Sequence, residues 1–357
     1  MVTVGIDPHK HMHQAVALAQ DGTRLGKPLA TASGPQAVHK LLDWARALAR
    51  GGPVLWAIEG GPGLGRAVAD ALLGAGQQVV WVPTRTMASH RRLSGPVGAK
   101  SDVIDAVAVA RAALAEPDLA VHRIDPAVRQ VRVLVDLRED LVQRRVALAN
   151  RLMAMLHLEA GLSPGKGRLS TRTSLDRLEH RIARAGLEGA VGFVLADQIR
   201  ELRVLIDRIA ECERALKERL RPLAPGLLAI PGIGVVWAAV LISQVADVSR
   251  FSSSAKLARW AGCAPIPVFS SGRQRHRLHR GGNRQINRAF HSIAMVQARV
   301  EGPAREFVRA KEADKGKKGA YRALKRHLVD VVYRTMVADQ QQRQAREVGQ
   351  RAYGPAA

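Results

Sequence analysis

Cysteine is nearly absent, with only Cys212 and Cys263 in 357 residues. No disulfide framework can be built from two thiols, and a reducing cytoplasm fits. The opening MVTVGIDPHK lacks the apolar segment of a signal peptide. Long apolar runs are missing too. The one extended uncharged stretch, Leu223 to Ala246, is interrupted by Pro225, Gly226, Pro231, Gly232 and Gly234. What remains from Val235 is too short to cross ~30 Å of hydrocarbon, so it reads as a buried helix and no membrane partner is expected. Acid is scarce as well. Lys and Arg number 55 against 31 Asp and Glu, a formal net charge of +24, and from Val248 to Val300 no acid occurs at all. Such a balance, with a pI near 11.3, attracts nucleic acid with strong salt dependence. The charge is spread through the chain and not gathered beside an apolar span, which disfavours a membrane surface as its target.

The acid-free stretch holds the densest chemistry. Ala261 to Ser292 reads AGCAPIPVFSSGRQRHRLHRGGNRQINRAFHS and carries Arg273, Arg275, Arg277, Arg280, Arg284 and Arg288. A polyanion belongs there. Ser270 and Ser271 precede Gly272, a residue that lets backbone approach a ligand closely. One reading has a hydroxyl attacking a phosphodiester while guanidinium groups stabilise the developing charge. The plainer reading is a basic loop whose serines only bind phosphate.

Along the chain, Val2 to Asp7 is a β-rich run ending in a carboxylate, Gln14 to Ala19 a second strand and Arg24 onward a third. Val38, Leu41, Leu42, Ala45 and Leu48 recur at helical spacing. Val54 to Ile58 is a strand ending at Glu59, Gly63 to Leu73 a helix, and Gln78 to Val82 a strand stopped by Pro83. Ser101 is placed to cap a helix from Asp102 to about Leu114. This order, a three-strand meander and then alternating helix and strand, is that of a ribonuclease H-like α/β domain. In that arrangement the first and fourth strands lie side by side, making Asp7 and Glu59 neighbours. Asp102 and Asp105, three apart, project from one helix face. Four carboxylates from separate segments suit one or two Mg²⁺ ions for phosphoryl transfer. The plainer reading is that the helix N-terminus simply favours Asp102 and Asp105. Gly5-Ile6-Asp7 also resembles the first phosphate loop of actin-like and sugar-kinase ATPases, but that reading explains neither the charge nor the arginines. His9, His11 and His13 alternate as if on one strand face; without a partner cysteine such histidines are more often solvated than zinc-bound. Lys10 is either a phosphate contact or a surface lysine.

Leu134, Leu137, Leu141, Leu148, Leu152 and Met155 mark a long amphipathic helix, broken from Gly161 to Gly167. Ile199, Leu202, Leu205, Ile206, Ile209, Leu216 and Leu220 keep near-heptad spacing, which predicts a helical hairpin or coiled coil. Its role is intramolecular packing or dimerisation. Ile230-Pro231-Gly232-Ile233-Gly234 then leads into a helix, the pattern of a helix-hairpin-helix whose backbone N–H groups hold a phosphate. Helices are expected over Phe251 to Trp260, Gln285 to Arg299 and Ala320 to Val337, with a loop from Asp314 to Gly319 and a frayed tail after Asp339. The expected division is an α/β domain at 1–122, a helical hairpin at 123–222, a mainly α domain at 223–310 and a basic C-terminal helix and tail at 311–357.

Together these residues resemble one family. GIDPHK with Asp7, AIEG with Glu59, and KSDVIDA with Asp102 and Asp105 are similar to the DEDD, RuvC-like domain of a class of bacterial insertion-sequence transposases. IPGIG and AGCAPIPVFSSG...HRGGNRQINRAF resemble that family's C-terminal transposase domain. The resemblance implies a site-specific DNA recombinase guided by a structured RNA. It implies a Mg²⁺ site at the four acids and a serine nucleophile at Ser271, the two contributed by different protomers of a dimer or higher assembly. From the basic segment, the glycine turn and the N-terminal lysine, nucleic-acid contacts are expected at Lys10, Gly232, Gly234, Arg273, Arg275, Arg277, Arg280, Asn283, Arg284 and Arg288. HRGGN departs from the family's more usual Lys-Arg-Gly-Asn/Asp pattern in His279 and the extra Gly282. The alternatives are a metal-only endonuclease in which Ser271 is structural, and a basic nucleic-acid-binding protein with a degenerate site; the intact set of acids argues against the latter.

Overall fold

The computed structural model describes all residues except 61, 62, 92–100, 117, 118, 124, 163–168, 271, 272, 280 and 354–357, and only the backbone at 120, 160, 270, 273–276 and 347–353. The chain divides into two compact units, Met1–Ile124 and Asp125–Ala357.

The first unit is a three-layer α/β domain. Strands β1 (Val2–Pro8), β2 (Met12–Leu18) and β3 (Arg24–Ala32) form a meander, followed by helix α1 (Pro35–Ala49), β4 (Val54–Glu59), α2 (Arg66–Gly74), β5 (Gln78–Val82), α3 (Thr84–Arg91), α4 (Asp102–Ala115) and β6 (Ala120–Val121). The sheet order is β3-β2-β1-β4-β5-β6. β1 runs parallel to β4, and β4 to β5, while β2, β3 and β6 are antiparallel to their neighbours. This is the ribonuclease H-like order expected from the sequence, with one extra edge strand. Central β1 is buried over six of its seven residues because helices cover both faces. Val4, Ile6, Ala15 and Trp56 pack beneath α1 and α2, while Val16 and Leu18 meet Ala106 and Ala110 of α4 on the opposite face. At the sheet edge, His122 Nδ1 accepts a hydrogen bond from Trp81 Nε1 (3.2 Å), so the proton sits on Nε2, which faces Asp70 Oδ1 at 2.7 Å.

The second unit is mainly helical. Helices α5 (Pro126–Ala160), α6 (Arg172–Arg184) and α7 (Gly189–Leu223) are followed by α8 (Pro225–Ala229), α9 (Val235–Val245) and α10 (Ser254–Trp260). Strands β7 (Ile266–Ser270) and β8 (Arg273–Arg277) form an antiparallel hairpin, and α11 (Arg284–Gln297) and α12 (Pro303–Tyr353) complete the chain. The unit has two cores. Leu141, Leu148, Leu152 and Leu156 of α5 meet Leu195, Ile199 and Leu202 of α7 with Leu175 and Leu178 of α6. The other core gathers α8 to α12 around α9, which is buried on most sides and carries no charge. No described helix is long and apolar enough to cross a membrane.

Three expectations change. The stretch from Asp314 to Gly319 holds a break but not a six-residue loop: two helices meet at Gly316, whose backbone is non-helical (φ 63°, ψ 165°). The basic segment holds the β7–β8 hairpin where no strand was expected. Lastly, the chain after Asp339 is not frayed but helical to Tyr353. The Asp339 carboxylate, 6% exposed, accepts hydrogen bonds from the backbone N–H groups of Gly226 (3.0 Å) and Leu227 (3.2 Å). Gln340 accepts from Val248 N and donates to Asp247, and Arg343 donates to Asp125 at 2.7 Å. These partners lie more than 90 residues away in sequence, so only the tertiary fold supplies them. Asp339→Ala is expected to lower stability by about 2 kcal/mol, the scale of a charge-assisted hydrogen bond lost from the interior, seen as a Tm roughly 4–8 °C lower. An unchanged melting curve would show that α8 needs no such cap.

Candidate active site

Two parallel strands deliver the first two acids. β1 leads away to one side of the sheet and β4 lies on its other side, so the order reverses between them, where the carboxyl ends of strands form a crevice. Ile6 pairs with Ile58, which puts Asp7 and Glu59 one residue further along, side by side. Their carboxyl groups share a hydrogen bond.

Helix α4 delivers the other two. Ser101 caps it in extended conformation, its hydroxyl accepting from Ile104 N at 3.2 Å. Asp102 stands exposed at the helix start and Asp105 is buried a turn later. Gly5 sets how near α4 comes: a Cβ on Gly5 would overlap the Ala106 carbonyl and lie 2.6 Å from Ala110 N and 2.9 Å from its Cβ. Only a residue without a side chain lets the helix sit this close to β1.

The electrostatics follow from crowding. Burial pushes the Asp7 carboxyl above the ordinary range; His9 opposes the shift and the charge of Asp105 adds to it. Glu59 is also raised, first by burial and then by Asp7, with Arg91 opposing. Arg91 of α3 meets the buried Asp105 carboxylate as an ion pair, its Nε against Asp105 Oδ1. Carboxylates this close repel unless protonated or bridged by a cation. A donor set dominated by carboxylate oxygens fits a divalent ion. The four acids thus come together at one end of the sheet.

Sequence reasoning did not find Arg91 or the place of His9. His9, His11 and His13 do not share a strand face: His9 and His11 sit in the β1–β2 connection and only His13 lies in β2, buried. His9 Nε2 is 3.1 Å from Asp7 Oδ2 and 3.4 Å from Asp102 Oδ1. No local signal marks Arg91, whose partner comes from another helix. Lys10 is exposed beside the site.

In the second unit, the basic segment is clamped at both ends. Gly262 and Gly282 meet backbone to backbone, and a Cβ on Gly282 would overlap the Gly262 main chain. This gives the unexpected Gly282 a steric reason. Asn283 N donates to Trp260 O (2.8 Å), and Asn287 Nδ2 donates to the carbonyls of Ala261 (3.0 Å) and Gly262 (2.9 Å). Lys325 Nζ donates in turn to Asn287 Oδ1 at 2.6 Å. Cys263 beside them is pushed up to about 11 by burial, so its thiol stays protonated and unreactive at neutral pH.

Ser271 and Arg280 lie outside the described residues; β7 and β8 are joined by 271 and 272, with Ser270 pairing Arg273. Arg273 and Arg275 are described in backbone only, within β8, and Arg277 ends it, exposed. Arg284 is exposed on α11. Arg288 faces the Trp237 ring at 5.8 Å and Glu139 at 3.5 Å. Asn283 caps α11 through Ile286 N and donates to Gln244, so both its polar side-chain atoms have protein partners. Gly232 adopts φ +81°, turning the chain between α8 and α9, and Gly234 precedes α9 without a side-chain cap.

Comparison with known proteins identifies the chain. Residues 4–159 match a DEDD transposase domain of the IS110 type, described as "Transposase", and residues 224–309 match the domain described as "Transposase IS116/IS110/IS902 family". The chain is 28% identical to the insertion element IS116 44.8 kDa protein of Streptomyces clavuligerus, covering 88% of each. With the insertion element IS900 42 kDa protein of Mycobacterium paratuberculosis it shares 27% identity over 93% of this chain and 94% of that one. Among solved structures, Thermus thermophilus RuvC bound to a Holliday junction aligns with 31% of this chain and 91% of its own at 18% identity and a TM-score of 0.25. The protein is a transposase, an enzyme of DNA mobility. It belongs to the IS116/IS110/IS902 insertion-sequence family, both of whose domains it carries in order.

Gly5→Ala is expected to force α4 off the sheet, at about 1–3 kcal/mol of overpacking. Displacing Asp102 and Asp105 should reduce transposition about a hundredfold, the cost of a shift near 1 Å in catalytic geometry. Full activity in a folded Gly5→Ala protein would show that the approach of α4 is not what positions the acids.

Proposed function

We propose that the protein is a site-specific DNA recombinase that cuts and rejoins strands through a serine–DNA intermediate, with Mg²⁺ held by Asp7, Glu59, Asp102 and Asp105. The observation that carries the reading is the convergence of those four carboxylates in a chain of net charge +24. A cluster of acids is the last thing a polyanion-binding surface would keep unless the acids bind a cation. A divalent ion there would polarise the scissile phosphate.

Ser271 is assigned as nucleophile. Its Oγ forms a bond to phosphorus as the bond from phosphorus to the sugar oxygen breaks; the hydroxyl proton passes to solvent and the sugar oxygen takes one up. Reversal with a new sugar hydroxyl rejoins the strand without ATP, because the phosphoserine conserves the bond energy. Arg273, Arg275, Arg277 and Arg280 are assigned to the charge on the phosphoryl oxygens, and Lys10, Arg284 and Arg288 to backbone phosphates. The turn at Gly232 and Gly234 is assigned a phosphate contact through the uncapped start of α9, and Asn283, at the start of α11, a further nucleic-acid contact. The long α5–α7 pair is assigned to coiled-coil dimerisation, in a dimer or tetramer whose copies exchange acids and serine. A structured guide RNA as a second nucleic acid, and work at the nucleoid in the cytoplasm, complete the proposal; the surplus of positive charge over what one short duplex needs supports the RNA.

Asp102→Asn should abolish strand cleavage in Mg²⁺ while DNA affinity stays near that of the parent; undiminished cleavage would remove the metal site from the mechanism. Ser271→Ala should eliminate recombination and any denaturation-resistant protein–DNA adduct with folding and binding intact. If Ser270→Ala loses the adduct instead, the nucleophile is the neighbour, and if neither variant does, a metal-only nuclease is the better reading. Recombination by protein free of RNA would overturn guidance.

A further inference from the structure

We propose that His9 is a nitrogen ligand of the acidic site, so that the cation between Asp7 and Asp102 is bound through mixed nitrogen and oxygen donors. The inference rests on the metal-dependent reading above and extends it to a residue outside the four acids. His9 Nε2 lies 3.1 Å from Asp7 Oδ2 and 3.4 Å from Asp102 Oδ1. Among the described residues, Asp7, His9 and Asp102 form a group whose ligand atoms all lie within 4.8 Å of one another. Donors at right angles around a small divalent ion, each at 2.0–2.1 Å, are separated by about 3.0 Å. Both distances from His9 are near that edge length.

A hydrogen bond alone accounts for the arrangement less well. One ring N–H points in one direction, whereas here a single nitrogen converges with carboxylate oxygens from two separate elements, β1 and α4. The position of the ring is also built in. His9 N donates to Met12 O at 2.9 Å, and Ser33 Oγ donates to His9 O at 3.1 Å, holding the connection from both sides. Half-exposed, the imidazole leaves room for water or a phosphate oxygen to complete the coordination.

An imidazole donor changes which ion is preferred. Mg²⁺ takes oxygen ligands almost exclusively, while first-row transition ions accept nitrogen readily. Mn²⁺ is therefore expected to bind more tightly than Mg²⁺, by a margin that depends on His9. The test uses full-length protein without nucleic acid, titrated with Mn²⁺ and followed by electron paramagnetic resonance, with Mg²⁺ measured by competition. Bound Mn²⁺ should show coupling to an imidazole nitrogen. His9→Ala should lose that coupling and bind Mn²⁺ at least about tenfold more weakly, a loss that even outer partners of metal ligands produce, while Mg²⁺ affinity changes less. A role confined to hydrogen bonding would weaken both ions alike and show no nitrogen coupling, which would overturn the assignment while leaving the four-acid site standing. If the parent binds neither ion and Asp102→Asn is indistinguishable from it, the metal reading itself falls with the inference.

Discussion

The contact between α4 and β1 at Gly5 is the constraint on which the site depends. Strand pairing alone brings Asp7 beside Glu59, but these two groups only repel or share a proton. Asp102 and Asp105 arrive on a helix that can approach the sheet because one strand residue lacks a Cβ. Apolar packing of Ala106 and Ala110 against Val16 and Leu18 holds it there. The hydrophobic core thus does electrostatic work: burial on the α4 face forces together carboxylates that would separate in water.

That crowding is notable in so basic a chain. Positive charge elsewhere would attract a polyanion at long range, while the acids at the sheet end would repel a phosphodiester unless a cation intervened. Arg91 offsets part of the charge at Asp105. Raised Asp7 and Glu59 express the same cost in protonation. A divalent cation bound there would remove it.

The second unit solves a different problem, holding a highly charged segment by its ends. The Gly262–Gly282 contact, the Asn287 amide on two carbonyls and Lys325 behind it tie the entry to the exit, so the β7–β8 hairpin projects from a fixed base. The last helix contributes Lys325 to this base and ties Asp339, Gln340 and Arg343 to Gly226, Val248 and Asp125, so the helix is anchored to the rest of the unit as far as residue 343.

Much of this was legible in the chain itself. A three-strand meander followed by alternating helix and strand predicts the sheet order, and that order makes Asp7 and Glu59 neighbours. Ser101 before Asp102 announces a helix start, and heptad leucines announce the α5–α7 pair. What the sequence could not show was contact across long separations. His13 alternates with His9 as strand residues would, yet the chain turns between them and only His9 reaches the acids. Arg91 has no local signature, since its partner comes from another helix. Polar and charged residues after Asp339 read as a tail until buried donors more than 90 residues away are seen to need them. Periodicity and capping are local and determine elements; the pairing of charges is set by which elements pack together, and that is decided only in the folded molecule.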